Sequence, residues 1–239
     1  MSLLALHGVR KSYGALKVTD DITLAVTEGE TLGILGPNGA GKTTLFNLIS
    51  GDVRVDAGRV EYEGRDVTAL KPHQRCHAGI GRSYQVPQPF GNMSVFENLV
   101  TAACFGARQR EREAWQTAHE VLEQTGLMPH ANKPAGGLTL LNRKRLELAR
   151  ALATRPRLLL LDEIAGGLTE HEAKQLVDEL KRIKARGVTM IWIEHVVHAL
   201  LSLADRLFVI NFGQKLAEGE PQAVMNDPEV RRVYMGMEA

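Results

Sequence analysis

The chain has 239 residues, which is enough for one large domain or two small ones. Hydrophobic residues make up 44% of it and charged residues 24%, a globular composition that excludes a wholly disordered chain. Because 29 basic residues stand against 28 acidic ones and only 5% of residues are aromatic, we expect neither a bulk-charge polyanion binder nor a base-stacking surface, and no nucleic-acid partner.

The first third of the chain predicts strands separated by turns. Apolar and polar residues alternate, or nearly so, in the predicted strands at residues 3–9 and 21–27. Further strands are predicted over residues 31–35, after Gly29 and Glu30, and over residues 58–64. The last of these is one half of an antiparallel hairpin. A helix is predicted over residues 42–50, since the Gly51 that follows is the residue type that commonly closes a helix.

The middle of the chain, about residues 93–152, has a helical pattern. Ser94 and Glu97 have the spacing of a capping box ahead of an apolar run, and residues 142–153 are periodic. The prolines within 87–89 and 129–134 are the best candidate subdomain boundaries.

The last third alternates strands with helices. Strands are predicted over residues 158–161, 188–193 and 207–210, and helices over 172–184 and 196–203. This alternation favours a parallel sheet covered on both faces.

Residues 36–43, GPNGAGKT, fit the phosphate-binding pattern G-x-x-x-x-G-K-[ST] between a predicted strand and a predicted helix. Glycines let several backbone N–H groups face one anion, and the helix N-terminus adds partial positive charge. Lys42 would reach the β- and γ-phosphates of ATP, and the Thr43 hydroxyl would hold Mg²⁺. The candidate nucleotide-binding residues of this loop are Gly36, Asn38, Gly39, Ala40, Gly41, Lys42, Thr43 and Thr44.

Residues 158–163, LLLLDE, place two carboxylates at the end of an apolar strand. The carboxyl ends of parallel strands are where sheet proteins bind their ligands. Together with the phosphate-binding loop, Asp162 and Glu163 are therefore candidate functional residues rather than a solvated turn.

These motifs and four further features stand in the order and spacing of an ATP-binding cassette of ABC transporters, and the resemblance covers essentially the whole chain. It implies an α/β fold with the parallel-sheet core of a P-loop (RecA-like) NTPase and an antiparallel β subdomain. A helical subdomain, about residues 88–152, would be inserted in this core to form one cassette over residues 1–239.

The resemblance also implies roles for individual residues. Asp162, in the Walker B strand, would hold Mg²⁺ in its outer shell, and Glu163 would polarise the attacking water. His195 resembles the switch histidine that contacts the γ-phosphate. Gln85 resembles the Q-loop glutamine, which senses Mg²⁺ and the attacking water and links the core to the helical subdomain. Tyr13 resembles the aromatic residue that stacks on adenine.

Two segments bear on a partner cassette. Residues 165–169, AGGLT, resemble the D-loop that touches it, with Thr169 where many cassettes have Asp. Counted back from the helix at 145–152, the ABC signature LSGGQ falls on residues 138–142, LTLLN, where both glycines are leucines. The pair Gly136 and Gly137 lies upstream, but taking these two residues as the signature glycines would shift the alignment relative to the helix that follows. Leu140 and Leu141 should obstruct close backbone approach, while Thr139 and Asn142 still offer polar groups.

A narrower resemblance concerns residues 41–51, GKTTLFNLISG, and the chain ending with AEGEPQAV at 217–224, NDPEV at 226–230 and VYMG at 233–236. They are similar to an ATPase subunit of branched-chain amino acid importers. Similar endings occur in urea and amide uptake relatives, so the solute is inferred only at the level of this group.

These resemblances imply ATP hydrolysis that powers solute uptake through membrane permease subunits on other chains. A second cassette, identical or different, would complete the ATPase, and a periplasmic or extracellular substrate-binding protein would act indirectly. A low-activity regulatory cassette is favoured by the leucine signature and opposed by Glu163 and His195. A soluble ABC ATPase of translation or DNA repair is disfavoured, because such proteins usually have two cassettes in one chain or a long coiled-coil insert, and this sequence has neither. A small-molecule kinase is disfavoured because it would lack the set of Gln85, Glu163 and His195.

No apolar run approaches the roughly 18–20 residues that a membrane helix needs, and no secretory signal is evident at the N-terminus. With only Cys76 and Cys104, a disulfide framework is excluded and a reducing cytosol is favoured. Since the resemblance to ABC transporter cassettes implies membrane permease subunits as partners, we expect a peripheral protein at the cytoplasmic face of the inner or plasma membrane.

Three weaker signals predict ordinary structure. His73 and His77 have helical ligand spacing but lack convergent partners, so a solvated turn after Pro72 is expected rather than a metal site. Residues 108–113 mix charges of both signs, which is typical of a solvated helix face. The two cysteines are expected to be packing residues.

Overall fold

The computed structural model describes residues 2–235, and for Met235 the backbone alone. Gly236, the last residue of the VYMG ending, therefore lies outside the described residues. The described residues form two compact units, one built from residues 2–75 and 189–235 and the other from Cys76–Val188. They are called the first and second unit below.

The elements up to the middle of the chain are β1 (Ser2–Tyr13), β2 (Leu16–Thr27), β3 (Thr31–Leu35), α1 (Lys42–Ser50), β4 (Ala57–Tyr62), β5 (Arg65–Asp66), α2 (Pro72–Ala78), β6 (Ile80–Arg82), α3 (Val95–Gly106) and α4 (Glu111–Gln124). Two 3₁₀ turns follow, at Met128–His130 and Ala135–Gly137. The remaining elements are α5 (Leu140–Ala153), β7 (Leu158–Asp162), α6 (Glu170–Lys184), β8 (Thr189–Ile193), α7 (Val197–Leu201), β9 (Arg206–Asn211), β10 (Gln214–Gly219), α8 (Pro221–Asn226) and α9 (Pro228–Met235).

The first unit contains an antiparallel sheet with the strand order β2-β1-β4-β5. In this unit β3 also lies between β8 and β9, parallel to both, and β10 runs antiparallel to β9. All five residues of β3 are buried. Such a run of buried residues is expected of a central strand in a sheet covered on both faces.

Helix α1 is fixed in the first unit by its apolar side chains and by one buried arginine. Leu45, Phe46, Leu48 and Ile49 of the helix are fully buried. Arg75 Nη1 donates to the carbonyls of Leu48 and Ile49 at 2.6 and 2.8 Å. Because the last carbonyls of a helix have no partner within it, this guanidinium satisfies groups that would otherwise cost free energy.

The second unit combines the parallel pair β6-β7 with four long helices. The predicted capping box is confirmed: the Ser94 hydroxyl accepts from Glu97 N, and Ser94 N donates to the Glu97 carboxylate. Thr169 and Glu172 form a second capping box at the start of α6. These caps define where two of the helices begin.

Most predicted strands and helices are confirmed, with boundary shifts. Thr31–Leu35 and Lys42–Ser50 match their predicted bounds. Strand β1 continues to Tyr13 and strand β2 begins already at Leu16, so both are longer than predicted. Register shifts between the two strands interrupt the alternation of apolar and polar residues by which a strand is predicted. The 88–152 limits of a helical subdomain stay a prediction.

Two expectations about local structure are wrong. His73 and His77 lie on helix α2 and not on a solvated turn, and His77 Nε2 is 2.9 Å from the carbonyl oxygen of Phe105. Residues 108–113 do not share one helix face, because α4 begins only at Glu111 and Arg108 has a left-handed φ of 55°. Within residues 2–235, no helix has the length and apolar character needed to cross a bilayer.

Candidate functional site

The loop between β3 and α1 requires glycine at two of its positions. Gly41 has φ 105°, and a Cβ placed on it would lie 2.3 Å from the carbonyl oxygen of Val18. A Cβ on Gly36 would lie 2.3 Å from the carbonyl oxygen of Ile210. Both contacts are far closer than atoms can approach, so this tight loop excludes any larger residue at these two positions.

The lysine of this loop is folded back over it. Lys42 is buried, and its Nζ donates to the carbonyl oxygens of Gly36 at 2.7 Å and Pro37 at 3.0 Å. The ammonium group therefore lies against the loop at the N-terminus of α1, where helix N–H groups and the helix dipole also favour an anion. This donor set fits the phosphates of a nucleotide.

Side chains around the loop differ in exposure. Asn38, Gly39 and Thr43 are exposed, Thr44 is partly buried and Ala40 is buried. The Thr43 hydroxyl is thus accessible at the start of the helix, as a Mg²⁺ ligand must be. Since Mg²⁺ usually takes one or two protein ligands together with phosphate oxygens and water, the loop needs no cluster of carboxylates to hold it.

A turn of the first unit supports the loop from outside the predicted motif. Gly213 N donates to the carbonyl of Ala40 at 3.0 Å, and Asp20 N donates to the carbonyl of Gly213 at 2.8 Å. Together with Val18 and Ile210, whose carbonyl oxygens approach Gly41 and Gly36, these residues pack against the loop. No motif in the sequence marks them, because they meet the loop only through the fold.

Tyr13 lies at the end of β1, opposite Leu16 in the hairpin, and its side chain is half exposed. The Lys11 ammonium lies 5.6 Å from the centre of its ring and also contacts the Asp56 carboxylate at 2.6 Å. The ring is therefore available to a flat ligand, as the predicted role in adenine stacking requires.

His195 is exposed and lies just beyond the end of β8. The neighbouring Glu194 is fully buried, and its Oε1 accepts from His195 N at 3.0 Å. The buried carboxylate thereby fixes the backbone that presents the histidine at the surface. No sequence motif marks Glu194, although it lies directly before the histidine.

In the second unit, β7 ends at Asp162. Asp162 Oδ2 accepts from Arg82 Nη2 at 3.2 Å, with both side chains buried. Arg82 was also missed, although it lies three residues before Gln85. The Asp162 carboxylate is thus held in a buried ion pair rather than in bulk solvent.

The structure brings Gln85 and Glu163 together. Gln85 Nε2 donates to Glu163 Oε2 at 2.5 Å. Glu163 has a left-handed φ of 47°, which is uncommon for a residue other than glycine, and its side chain is only partly buried. Such strain occurs often at functional sites, and here it accompanies a carboxylate with a defined neutral partner.

The segment aligned with the ABC signature is packed differently from the expectation. Thr139 caps α5, where its hydroxyl accepts from Asn142 N at 3.4 Å, and the Asn142 amide lies 3.1 Å from His130 Nε2. Leu141 is buried and Leu140 is 45% exposed. The outward bulk therefore comes from Leu140 alone, and the polar groups of Thr139 and Asn142 already have partners.

Within the predicted D-loop, Ala165 is buried, while Gly166 and Gly167 are exposed. Thr169 caps α6 with its hydroxyl. Many cassettes have Asp at this position, and both residue types can cap a helix.

Comparisons with known proteins place these features in context. Residues 19–166 match the family described as ABC transporter. Residues 214–236 match a second family, described as branched-chain amino acid ATP-binding cassette transporter. The first match contains the phosphate-binding loop, Gln85 and both carboxylates, whereas the second covers β10, α8 and α9.

Two curated relatives align over nearly the whole chain. The high-affinity branched-chain amino acid transport ATP-binding protein LivG of Salmonella typhimurium is 34% identical, over 98% of this chain and 98% of that protein. The lipopolysaccharide export system ATP-binding protein LptB of Haemophilus influenzae is also 34% identical, over 99% of this chain and 98% of that protein.

A solved structure has the same fold. The crystal structure of a nucleotide-free ATP-binding cassette from an ABC transporter superposes with a TM-score of 0.89 at 31% identity, over 99% of this chain and 100% of that one.

Proposed function

This chain belongs to the ABC transporter family as an ATP-binding cassette whose ATP hydrolysis is coupled to transport, and on that premise we propose that it powers the import of branched-chain or related amino acids. Membership confirms the predicted fold class, a P-loop NTPase core with antiparallel β and helical parts. The identity of the solute and the roles of individual residues in ATP binding and hydrolysis are what we propose below.

The observation that carries the proposed solute class is the family match at residues 214–236. It covers a segment outside the phosphate-binding loop and both carboxylates, so it carries information that these general ATPase motifs do not. The relative named for branched-chain amino acid transport agrees with it. The relative named for lipopolysaccharide export, at the same identity, makes export of a lipid-linked glycan the second candidate.

In the first unit, we assign the nucleotide to the loop and its surroundings. Lys42 exchanges the carbonyls of Gly36 and Pro37 for the β- and γ-phosphates, and the backbone N–H groups of residues 38–44 add further donors. Thr43 supplies a hydroxyl to Mg²⁺. Tyr13 stacks on adenine, and His195 contacts the γ-phosphate.

In the second unit, we assign the chemistry to Glu163, with Gln85 as its partner. The carboxylate polarises and orients the attacking water, and the amide of Gln85 fixes the carboxylate and takes part in Mg²⁺ coordination. Asp162 would help to hold Mg²⁺, which would supply neutralisation of the phosphate charge. Hydrolysis of this kind depends on positioning and on charge stabilisation and needs no covalent intermediate.

The proposed partners follow from the same family. A second cassette and transmembrane permease subunits complete the transporter at the cytoplasmic face of the membrane, and a substrate-binding protein delivers the solute. The exposed Leu140 favours a different cassette as partner, one whose signature keeps its glycines, because the leucine would disfavour close approach in a homodimer.

The proposed solute class is tested by uptake of radiolabelled leucine, isoleucine and valine in cells that lack this chain. Uptake should fall, return with the parental chain and stay low with Lys42→Ala, which removes a charge-assisted phosphate contact worth about 1.5–3 kcal/mol. Lys174→Ala, a change at an exposed lysine of α6, is the matched control and should restore uptake.

Unchanged uptake of all three amino acids in the deleted cells would contradict the proposed solute class. If surface lipopolysaccharide fell instead, the second candidate would replace it.

A further inference from the structure

Lys144, on α5, holds the backbone of two proposed catalytic residues. Its Nζ donates to the carbonyl oxygen of Gln85 at 2.7 Å and to that of Glu163 at 3.1 Å, and the residue is only 4% exposed. All three residues belong to the second unit. No motif assigned a role to this lysine, which lies between the signature segment and the helix used to align it.

A buried ammonium group is costly unless strong acceptors surround it. Lysine has three donors, and here two of them contact carbonyls that lie 78 positions apart in the sequence. Through these contacts one side chain sets the distance between the backbones whose side chains form the hydrogen bond from Gln85 to Glu163. Loss of the ammonium would release both backbones together.

The next turns of α5 contact the same segment. Glu147 is buried and accepts from the backbone N–H groups of Tyr84 and Gln88. Arg150 Nη1 donates to the carbonyl of Gln88 at 2.8 Å and to Glu147 Oε2 at 3.1 Å. Burial raises the pKa of Glu147, although Arg150 and these N–H groups oppose the rise. Helix α5 therefore fixes residues 84–88 at several points, and Lys144 is the contact that also reaches Glu163.

We propose that Lys144 is a positioning residue for ATP hydrolysis, which holds Gln85 and Glu163 in the geometry that lets the carboxylate orient the attacking water. The inference rests on the proposed role of Glu163. Lys144 itself contacts carbonyl oxygens of the chain, so it acts on the reaction through the residues it holds. A displacement of about 1 Å at reacting groups can cost on the order of 100-fold in rate.

The test compares Lys144→Met, which keeps the length and apolar stem, with Lys144→Arg, which restores a cation. Phosphate release from radiolabelled ATP by the full-length chain gives kcat, and titration with a fluorescent ATP analogue gives Kd. Lys144→Met should lower kcat about 10- to 100-fold and change Kd less than about twofold, and Lys144→Arg should recover most of the rate. Hydrogen exchange of residues 84–90 should accelerate in Lys144→Met alone.

Lys174→Met is the control for removing a lysine charge from an exposed helix position. If Lys144→Met does not fold, Lys144→Leu takes its place, since it also removes the donor to both carbonyls and leaves an apolar side chain. Parental kcat in the folded variant, or equal losses of kcat and nucleotide affinity, would overturn the positioning role.

Glu163→Gln is measured in parallel. Loss of hydrolysis in Glu163→Gln but not in Lys144→Met would overturn this inference alone. Parental hydrolysis in Glu163→Gln would remove the proposed function of that carboxylate, and the positioning role with it.

Discussion

The amide of Gln85 donates a hydrogen bond to the carboxylate of Glu163 at 2.5 Å, across 78 positions of sequence. The carboxylate of the preceding residue, Asp162, instead accepts from the buried guanidinium of Arg82. Two adjacent acidic residues therefore have different partners, one neutral and one cationic. Separate environments allow neighbouring carboxylates to take separate tasks, which agrees with a metal role for Asp162 and a water-orienting role for Glu163.

Gly41→Ala should damage the phosphate-binding loop. The residue combines φ 105° with a Cβ position 2.3 Å from the Val18 carbonyl oxygen, so alanine would force the loop or β2 to move. We expect a loss of about 1–3 kcal/mol in unfolding free energy and at least a tenfold loss of nucleotide affinity. Urea unfolding and titration with a fluorescent ATP analogue measure the two effects.

Gly137→Ala is the control for this change, because a Cβ there meets nothing within 4 Å. It should leave stability within about 0.5 kcal/mol and leave nucleotide affinity unchanged. Equal behaviour of the two alanine variants would show that Gly41 is not required by the loop.

Leu140→Gly should raise the ATPase rate of the chain assembled with itself. The exposed Leu140 carries bulk where the aligned signature has glycine, and a slow homodimer is expected while it remains. Leu141→Gly, the matched control, removes a buried side chain and should cost about 2–5 kcal/mol of stability without a comparable gain in rate. Steady-state phosphate release is the measurement.

A fast parental chain with no gain from Leu140→Gly would mean that the leucine does not obstruct, or that the signature has another register. If the leucine does not obstruct, the argument for a different cassette as partner is removed as well.

Glu30 should contribute stability that is lost in acid. Burial by itself raises the pKa of Glu30, but hydrogen bonds from Arg206, at 2.7 Å, and from Thr27 outweigh it and hold the pKa below its ordinary value. The carboxylate therefore stabilises the fold above the ordinary carboxyl pKa, and this contribution falls as the pH drops through the lowered value. Glu30→Gln should lose about 1.5–3 kcal/mol at pH 7 and much less at pH 3.

Urea unfolding at several pH values between 7 and 3 measures this difference. Glu111→Gln, at an exposed carboxylate that begins α4, should show no comparable loss. If the loss of unfolding free energy in Glu30→Gln stayed constant between pH 7 and pH 3, the charge of Glu30 would not be its cause.

Local signals in the sequence predicted the elements that carry their own start and stop residues. Gly41 and Gly51 limit α1, and Ser94 with Glu97 begins α3, as expected. Short elements such as β5 and α2 carry too few residues for a periodic pattern and were missed.

Motifs marked candidate site residues, whereas they did not mark the contacts that hold those residues in place. The sequence marks Glu163 because an acidic pair ends an apolar strand, and it marks Gln85 only through its position in the resemblance to the family. It does not mark Lys144, whose carbonyl partners are brought to it by the fold, since any lysine on an amphipathic helix has the same appearance in sequence. The burial of Leu141 beside an exposed Leu140 was likewise decided by the phase of α5, which begins at Leu140.

The most direct test of the account is single-turnover hydrolysis by Glu163→Gln. The substitution keeps the size of the side chain and an oxygen for the Gln85 hydrogen bond, and removes the charge that orients water. Hydrolysis should fall by about 100-fold or more while affinity for the ATP analogue is retained. Glu111→Gln should hydrolyse at the parental rate. A Glu163→Gln chain that hydrolyses ATP as fast as the parental one would contradict the account.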